Sequence, residues 1–308
     1  MLKRIQVLFF VLLGFCSQAQ QTPQYSQWFW HLQALNPAFT GLKPCLEIKT
    51  LYRSQWAGLP GSPNSGFMTF SLPIYTKQKK LLSPRQGIGF KFEADKAGAF
   101  TLNRFLVSYA GHFNFTPETR LSIGISAGAK QWVFDRDKMT TLDVDPILQE
   151  SGSFIAPDAA MGFWWNGKNY FLSLSFSELV KNKWTNISDN SAFGIHTAFS
   201  AGTRFIANNQ FTILPYALFR FPPKGPVSVD LNLLFSFMNK FDFGLGWRNT
   251  DAVNALFQYK FDQKFSIGYS VDFVTSNLGT NNHFSHEFSI GFGTCKNINT
   301  NKTVCPLF

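Results

Sequence analysis

The side chains best equipped for chemistry in this 308-residue chain are its histidines and carboxylates. His283, His286 and Glu287 follow one another as H-x-x-H-E, groups that can ligate a metal. Three residues apart on a strand, however, the two imidazoles point to opposite faces and do not converge. His31, His112 and His196 are scattered. Asp135, Asp137, Asp143 and Asp145 crowd the stretch DRDKMTTLDVD, an oxygen-rich loop of the kind that takes calcium. It lacks the glycine and closing glutamate of a calcium-binding hand, and reads as an acidic solvated loop. Serines abound, but none stands in a G-x-S-x-G elbow between strand and helix. No catalytic, metal or cofactor residue is therefore assigned.

The elements that would position any site are strands. In QKFSIGYSVDF, Phe265, Ile267, Tyr269, Val271 and Phe273 alternate with Ser266, Gly268, Ser270 and Asp272. That period of two gives one apolar and one wet face. The same alternation recurs at Phe241–Trp247, Leu121–Ala127, Ile88–Phe92, Tyr170–Phe176 and Phe284–Phe292, with His286 on the apolar side. Fourteen strands are expected, near 45–54, 66–75, 86–95, 101–115, 120–134, 156–166, 168–177, 194–206, 210–220, 226–237, 240–249, 252–260, 263–273 and 284–294. Pro215 cannot donate to a ladder and marks a bulge or rim. Short turns at 116–119, 166–168, 207–210 and 261–264 join antiparallel neighbours. Longer breaks fall near 76–85, 135–155, 178–194 and 274–283.

What the apolar face touches decides the class. A soluble sandwich alternates too. Here the wet face is rich in Gly and Ser, and the strands reach the nine to eleven residues a tilted membrane strand needs. The chain holds 36 Phe, with aromatics at 17% and charged residues at only 15%, as suits a barrel coated in apolar side chains and ringed by aromatics. The expectation is an all-β, transmembrane antiparallel barrel of about fourteen strands over residues 45–294. A lead-in precedes it at 20–44 and a tail follows at 295–308.

Residues 1–19 read as a signal peptide: Lys3 and Arg4, an apolar run to Phe15, then Ser17 and Ala19 at cleavage spacing. Phe15 is a poor neighbour for lipidation at Cys16. The formal charge of +10 falls to +8 without Lys3 and Arg4. An exported chain without a nucleic-acid motif is not expected to bind nucleic acid, and basic loops near lipid phosphates account for the sign. Export permits disulfides. Cys295 and Cys305 bracket KNINTNKTV and are the expected pair, which leaves Cys45 over.

The mature start QQTPQYSQWFWHLQALNPAFTG, then LYRSQWAGLPGSP, GIGFKFEADKAG, SYAGHFNFTPETRLSIGISAG, GWRNTDAV, IGYSVDF and SHEFSIGFG, form an ordered series. It resembles the PorP/SprF family of outer-membrane proteins of the type IX secretion system in the Bacteroidota, from about residue 20 to 294. Phe39 stands where the family often has Tyr, and Val271-Asp272 where it has a Tyr-Asp pair. The resemblance implies an outer-membrane barrel without catalytic activity or cofactor. The implied partners are a secreted, adhesin-type protein carrying a type IX C-terminal sorting domain, and periplasmic secretion or gliding components.

Candidate partner-binding residues are Tyr25, Gln27, Trp28 and Asn36 in the lead-in, Arg53, Gln55 and Trp56 after the first strand, and Trp247, Arg248 and Asp251 between two late strands. The lead-in is expected to fold against the barrel or its periplasmic mouth, either holding a partner or serving as a plug. Charged groups beside Trp at strand ends equally fit interface belts or pairing with one another. A passive outer-membrane diffusion pore is the alternative function; a soluble exported sandwich comes third.

Overall fold

A computed structural model describes residues 22–74, 84–138, 152–182, 194–223, 225–249, 251–261, 264–275 and 284–294. The signal peptide, the tail, His283, Asp143, Asp145, Cys295 and Cys305 lie outside them. The strands are β1 (Glu47–Ser54), β2 (Asn64–Ile74), β3 (Arg85–Ala97), β4 (Phe100–Asn114), β5 (Arg120–Phe134), β6 (Gly152–Asn166), β7 (Tyr170–Ser177), β8 (His196–Thr203), β9 (Phe205–Ile206), β10 (Phe211–Phe221), β11 (Ser228–Phe237), β12 (Phe241–Arg248), β13 (Ala252–Phe261), β14 (Phe265–Val274) and β15 (Phe284–Gly293). Each pairs antiparallel with its neighbours, and β1 pairs with β15, so the sheet closes on itself. Closure leaves no edge to satisfy in lipid.

β8 and β9 are two pieces of one strand, interrupted at Arg204, so the barrel has fourteen strands. Pro215 explains the gap. Tyr216 pairs with Gly202 and Ile213 with Phe205 in one unbroken register, and the ladder lapses only between them. The missing proline N–H thus costs ladder bonds without the expected bulge or rim. Pairing of β10 with β11 runs straight through Pro215 and Leu233.

The alternation sorts as the sequence requires. In β14, Phe265, Ile267, Tyr269 and Phe273 are 40% to 51% exposed, while Ser270 and Asp272 are buried. The apolar face therefore points out and the wet face in. At one rim β2 ends and β3 begins, and β4 passes to β5, β6 to β7, β9 to β10, β11 to β12 and β13 to β14; at the opposite rim β5, β7 and β14 end and β6, β8 and β15 begin, on either side of the chain's long connections.

His286, on the outer face, meets Tyr269 Oη through Nδ1 at 2.8 Å. Asp135 pairs with Lys138 beside it. Cys45, expected to be unpaired, is disulfide-bonded, and its partner lies outside the described residues.

Candidate functional site: a lumen occupied by the N-terminal segment

The space inside the barrel is taken by residues 22–42. Their sequence dictates a compact, interrupted path. Trp28–Trp30 forms a 3-10 turn, Leu32–Leu35 a single α-turn, and Pro37–Phe39 a second 3-10 turn. Asn36 caps the last one: its Oδ1 accepts from Ala38 N at 2.8 Å, and Pro37 supplies the preset φ of a first helical position. A longer helix would not fit; Asn36-Pro37 stops it.

Trp28, Phe29, Leu32, Ala38, Phe39 and Leu42 form one buried cluster with inward-facing wall residues. Phe29 stacks on Tyr216 (5.1 Å, 4°), and Phe39 meets Trp164 edge-on (5.1 Å). The wall makes room with glycine. A β-carbon at Gly124 would lie 2.4 Å from the Ala38 backbone N, and one at Gly162 would lie 1.8 Å from Asn36 Oδ1. Gly41 is bound by two constraints, a φ of +68° and the Gly87 Cα at 2.4 Å from any added β-carbon.

Polar contacts fix the segment along its length. At the short-turn end Gly41 N donates to Ser71 Oγ (2.7 Å). His112 Nε2 lies 3.0 Å from the Thr40 carbonyl, and Nδ1 lies 2.7 Å from Ser122 Oγ. A carbonyl only accepts, so Nε2 carries the proton and Nδ1 accepts from the serine. Midway, Asn36 Nδ2 donates to Ser173 Oγ (2.8 Å) and to the Phe163 and Leu174 carbonyls (2.9 and 3.2 Å).

The densest contact is near the long-connection rim. Ser26 N and Gln27 N, consecutive amides, donate to the two oxygens of Glu287 at 2.7 and 3.0 Å. Ser26 Oγ donates to Asp272 Oδ1 at 2.7 Å and receives Arg248 Nη2 at 3.1 Å. Arg53 lies opposite Glu287 in the ladder and pairs with it (2.5 Å) and with Asp272 (2.8 Å). Arg248, opposite Asp230, binds it through Nε (2.6 Å) and Asp251 through Nη1 (3.0 Å). Arg220 also pairs with Asp230. These buried charges are held because each faces an opposite charge and the residual lone pairs meet the segment's amides.

A second ion cluster lines the lumen nearby. Arg104 reaches Asp158 (2.9 Å), Glu93 (3.1 Å) and Glu178 (2.6 Å), and Lys130 reaches Glu178 at 3.0 Å. Burial raises the Glu178 carboxyl, but Arg104 and Lys130 outweigh it and hold the group below the usual carboxylate range.

Of the residues singled out from sequence, Tyr25, Gln27, Trp28, Asn36, Arg53 and Arg248 are buried in the lumen, with Asp251 at its edge. Gln55 and Trp56 lie in the β1–β2 connection, where Gln55 N donates to the Pro63 carbonyl and Trp56 N to Ser285 Oγ. Trp247 is 47% exposed on the outer face, one residue from Arg248 but on the other side of the wall. Ser26, Asp230, Asp272, Glu287 and His112 belong to the site but were not singled out as partner-binding. For Asp230, Asp272, Glu287 and His112 the only signal is a charge or polar group on the wet side of an alternating strand; Ser26, in the N-terminal segment, carries none.

Fold and lumen together define a closed, lipid-facing β-barrel with an internal plug, an outer-membrane barrel. The chain belongs to a family described as type IX secretion system membrane protein PorP/SprF, whose model matches residues 17–292. No curated protein matches the sequence significantly. Among solved structures, a Pseudomonas aeruginosa FadL homologue is similar at 11% identity, with 84% of this chain and 92% of that one covered and a TM-score of 0.50. The CymD monoaromatic hydrocarbon channel is similar at 10% identity, with 90% and 94% covered and a TM-score of 0.51. These likenesses bear on fold alone. The protein is thus an outer-membrane component of type IX secretion.

Proposed function

We propose that this barrel is a non-enzymatic anchor that supports export or surface retention of a secreted adhesin-type protein, engaged through that protein's type IX C-terminal sorting domain. The observation that carries the reading is the filled lumen. Residues 22–42 occupy the barrel interior through a buried aromatic cluster and paired ions, which favours a protein-handling role over the alternative of a solute pore. The rim of tight turns faces the periplasm by the general rule for such barrels, and the long connections face outward. The first described residues, beside Arg220 and Ser228, then lie toward the cell surface. Periplasmic secretion or gliding components meet the other rim.

The test is gentle detergent extraction of the tagged protein with mass spectrometry of what stays bound, alongside planar-bilayer recording. A secreted protein with a C-terminal sorting domain, and no stable conductance, is expected. A barrel that purifies alone and conducts ions as isolated would overturn the proposal in favour of the pore. Deleting residues 22–40 is expected to produce the conductance that the intact protein lacks.

A further inference from the structure

Cys45 is buried, 4% exposed, and disulfide-bonded. It follows Leu42, the last plug residue in the buried cluster, and precedes Glu47, where β1 begins. β1 is one side of the seam at which the barrel closes, and β15 is the other. That seam is held to its end. Glu47 pairs with Gly293. One step further, Thr294 N donates to the Leu46 carbonyl at 3.0 Å, and Leu46 N donates to Thr294 Oγ1 at 3.2 Å. The next residue in sequence is Cys45 on one side and Cys295 on the other.

We infer that Cys45 is bonded to Cys295, and that this bond is a covalent latch across the barrel seam at the root of the plug. The other sulfurs in the chain are Cys16 and Cys305. The hydrogen bonds between Leu46 and Thr294 make theirs a hydrogen-bonded position, where opposed Cα atoms stand about 5.5 Å apart, and the position that follows is the narrow one of about 4.5 Å. Both separations fall within the roughly 4.4–6.8 Å that a disulfide spans. Cys295 is one peptide unit from this anchored pair. Cys305 is ten residues further along, and pairing it with Cys45 costs the closure of an extra loop. Cys16 falls within the expected signal peptide, which export removes. The bond forms by exchange in the exported compartment. One thiolate attacks a disulfide oxidant, the second displaces the mixed disulfide, and the oxidant leaves as a dithiol with the two electrons and both protons. The product ties the first strand to the last and fixes the point at which residues 22–42 leave the lumen. The inference is independent of the anchoring function proposed above, and it replaces the Cys295–Cys305 pair expected from sequence.

The test is peptide mapping of the full-length barrel taken from the outer membrane, alkylated and digested without reductant. The expected product joins the Cys45 and Cys295 peptides and is two hydrogens lighter than the two thiol peptides together. A peptide joining Cys45 to Cys305 or Cys16, a Cys295–Cys305 peptide, or an alkylated Cys45 in a folded barrel would overturn the pairing. The mapping needs no variant, so it stands even where a substituted barrel fails to fold. Cys45→Ser, Cys295→Ser and Cys305→Ser then test the latch, on gels of samples heated to graded temperatures. The first two should lose the folded band about 5–10 °C below wild type. The third should keep it to the wild-type temperature. A Cys45–Cys295 bond in wild type together with wild-type heat resistance in Cys45→Ser and Cys295→Ser would overturn the latch.

Discussion

Glu287 is where the plug's fate is most sharply set. Its two oxygens accept the Ser26 and Gln27 amides at 2.7 and 3.0 Å, and one of them also pairs with Arg53 at 2.5 Å. Glu287→Gln preserves the shape and removes the charge. Its carbonyl oxygen can still accept one amide, but its NH2 then faces the other, donor against donor. Hydrogen bonds to charged groups contribute about 1.5–3 kcal/mol each, and a buried donor left unmade costs about 1–3 kcal/mol. Arg53 keeps Asp272 at 2.8 Å, so the full cost of about 3–5 kcal/mol for breaking a buried pair does not apply. A loss of about 3 kcal/mol in docking of residues 22–30 is expected, roughly a hundredfold in the docked population. Hydrogen exchange resolved by mass spectrometry on the 22–32 peptide reads this directly. The variant should exchange about a hundred times faster there, with unchanged protection in β4–β6. Wild-type protection of residues 26 and 27 in Glu287→Gln would refute the claim that this carboxylate holds the segment.

Arg248→Ala and Trp247→Ala, one residue apart, should behave oppositely. The first removes a donor from Ser26 and leaves Asp230 to Arg220 alone, and should loosen the plug by about 1.5–3 kcal/mol in exchange experiments; the second touches only the lipid face and should leave plug protection within about twofold. Gly124→Ala places a methyl 2.4 Å from the Ala38 amide nitrogen. It should raise planar-bilayer conductance over wild type while the barrel itself still folds, because the plug and not the ladder must give way.

Most of the wall was legible because one rule, apolar out and wet in, governs most positions, broken where Trp164, Phe171, Tyr216, Leu218 and Leu234 turn inward onto the plug. Residues 120–134 were read to the bounds that the structure shows, Arg120–Phe134. β15, Phe284–Gly293, ends one residue before the expected 294. The break at Arg204 was not legible: it arises from Pro215 on a neighbouring strand, and pairing of strands is not written in either one alone. The site was half legible. Aromatic density marked Tyr25 and Trp28, and strand-end charges marked Arg53 and Arg248. Their convergence joins Ser26 to residues 222 and 246 positions away, and no local pattern carries such a distance. The lead-in was expected against the barrel or at its periplasmic mouth. Of the two roles expected for it, holding a partner or serving as a plug, the structure shows the plug, and the clue lay in the wall, where Gly124 and Gly162 leave space that the segment's backbone and Asn36 fill.

The account stands or falls on residues 22–42 being inside the barrel, and a cross-link tests that most directly. A β-carbon on Gly162 lies 2.7 Å from Asn36 Cγ. One C–C bond of about 1.5 Å separates that atom from Asn36 Cβ, so the two β-carbons stand no more than about 4.2 Å apart, within reach of a disulfide. The double variant Asn36→Cys/Gly162→Cys, expressed in the outer membrane and digested without reductant, should yield the 36–162 linked peptide as the dominant form. Free thiols at both positions, in a barrel that is otherwise folded, would contradict the filled lumen.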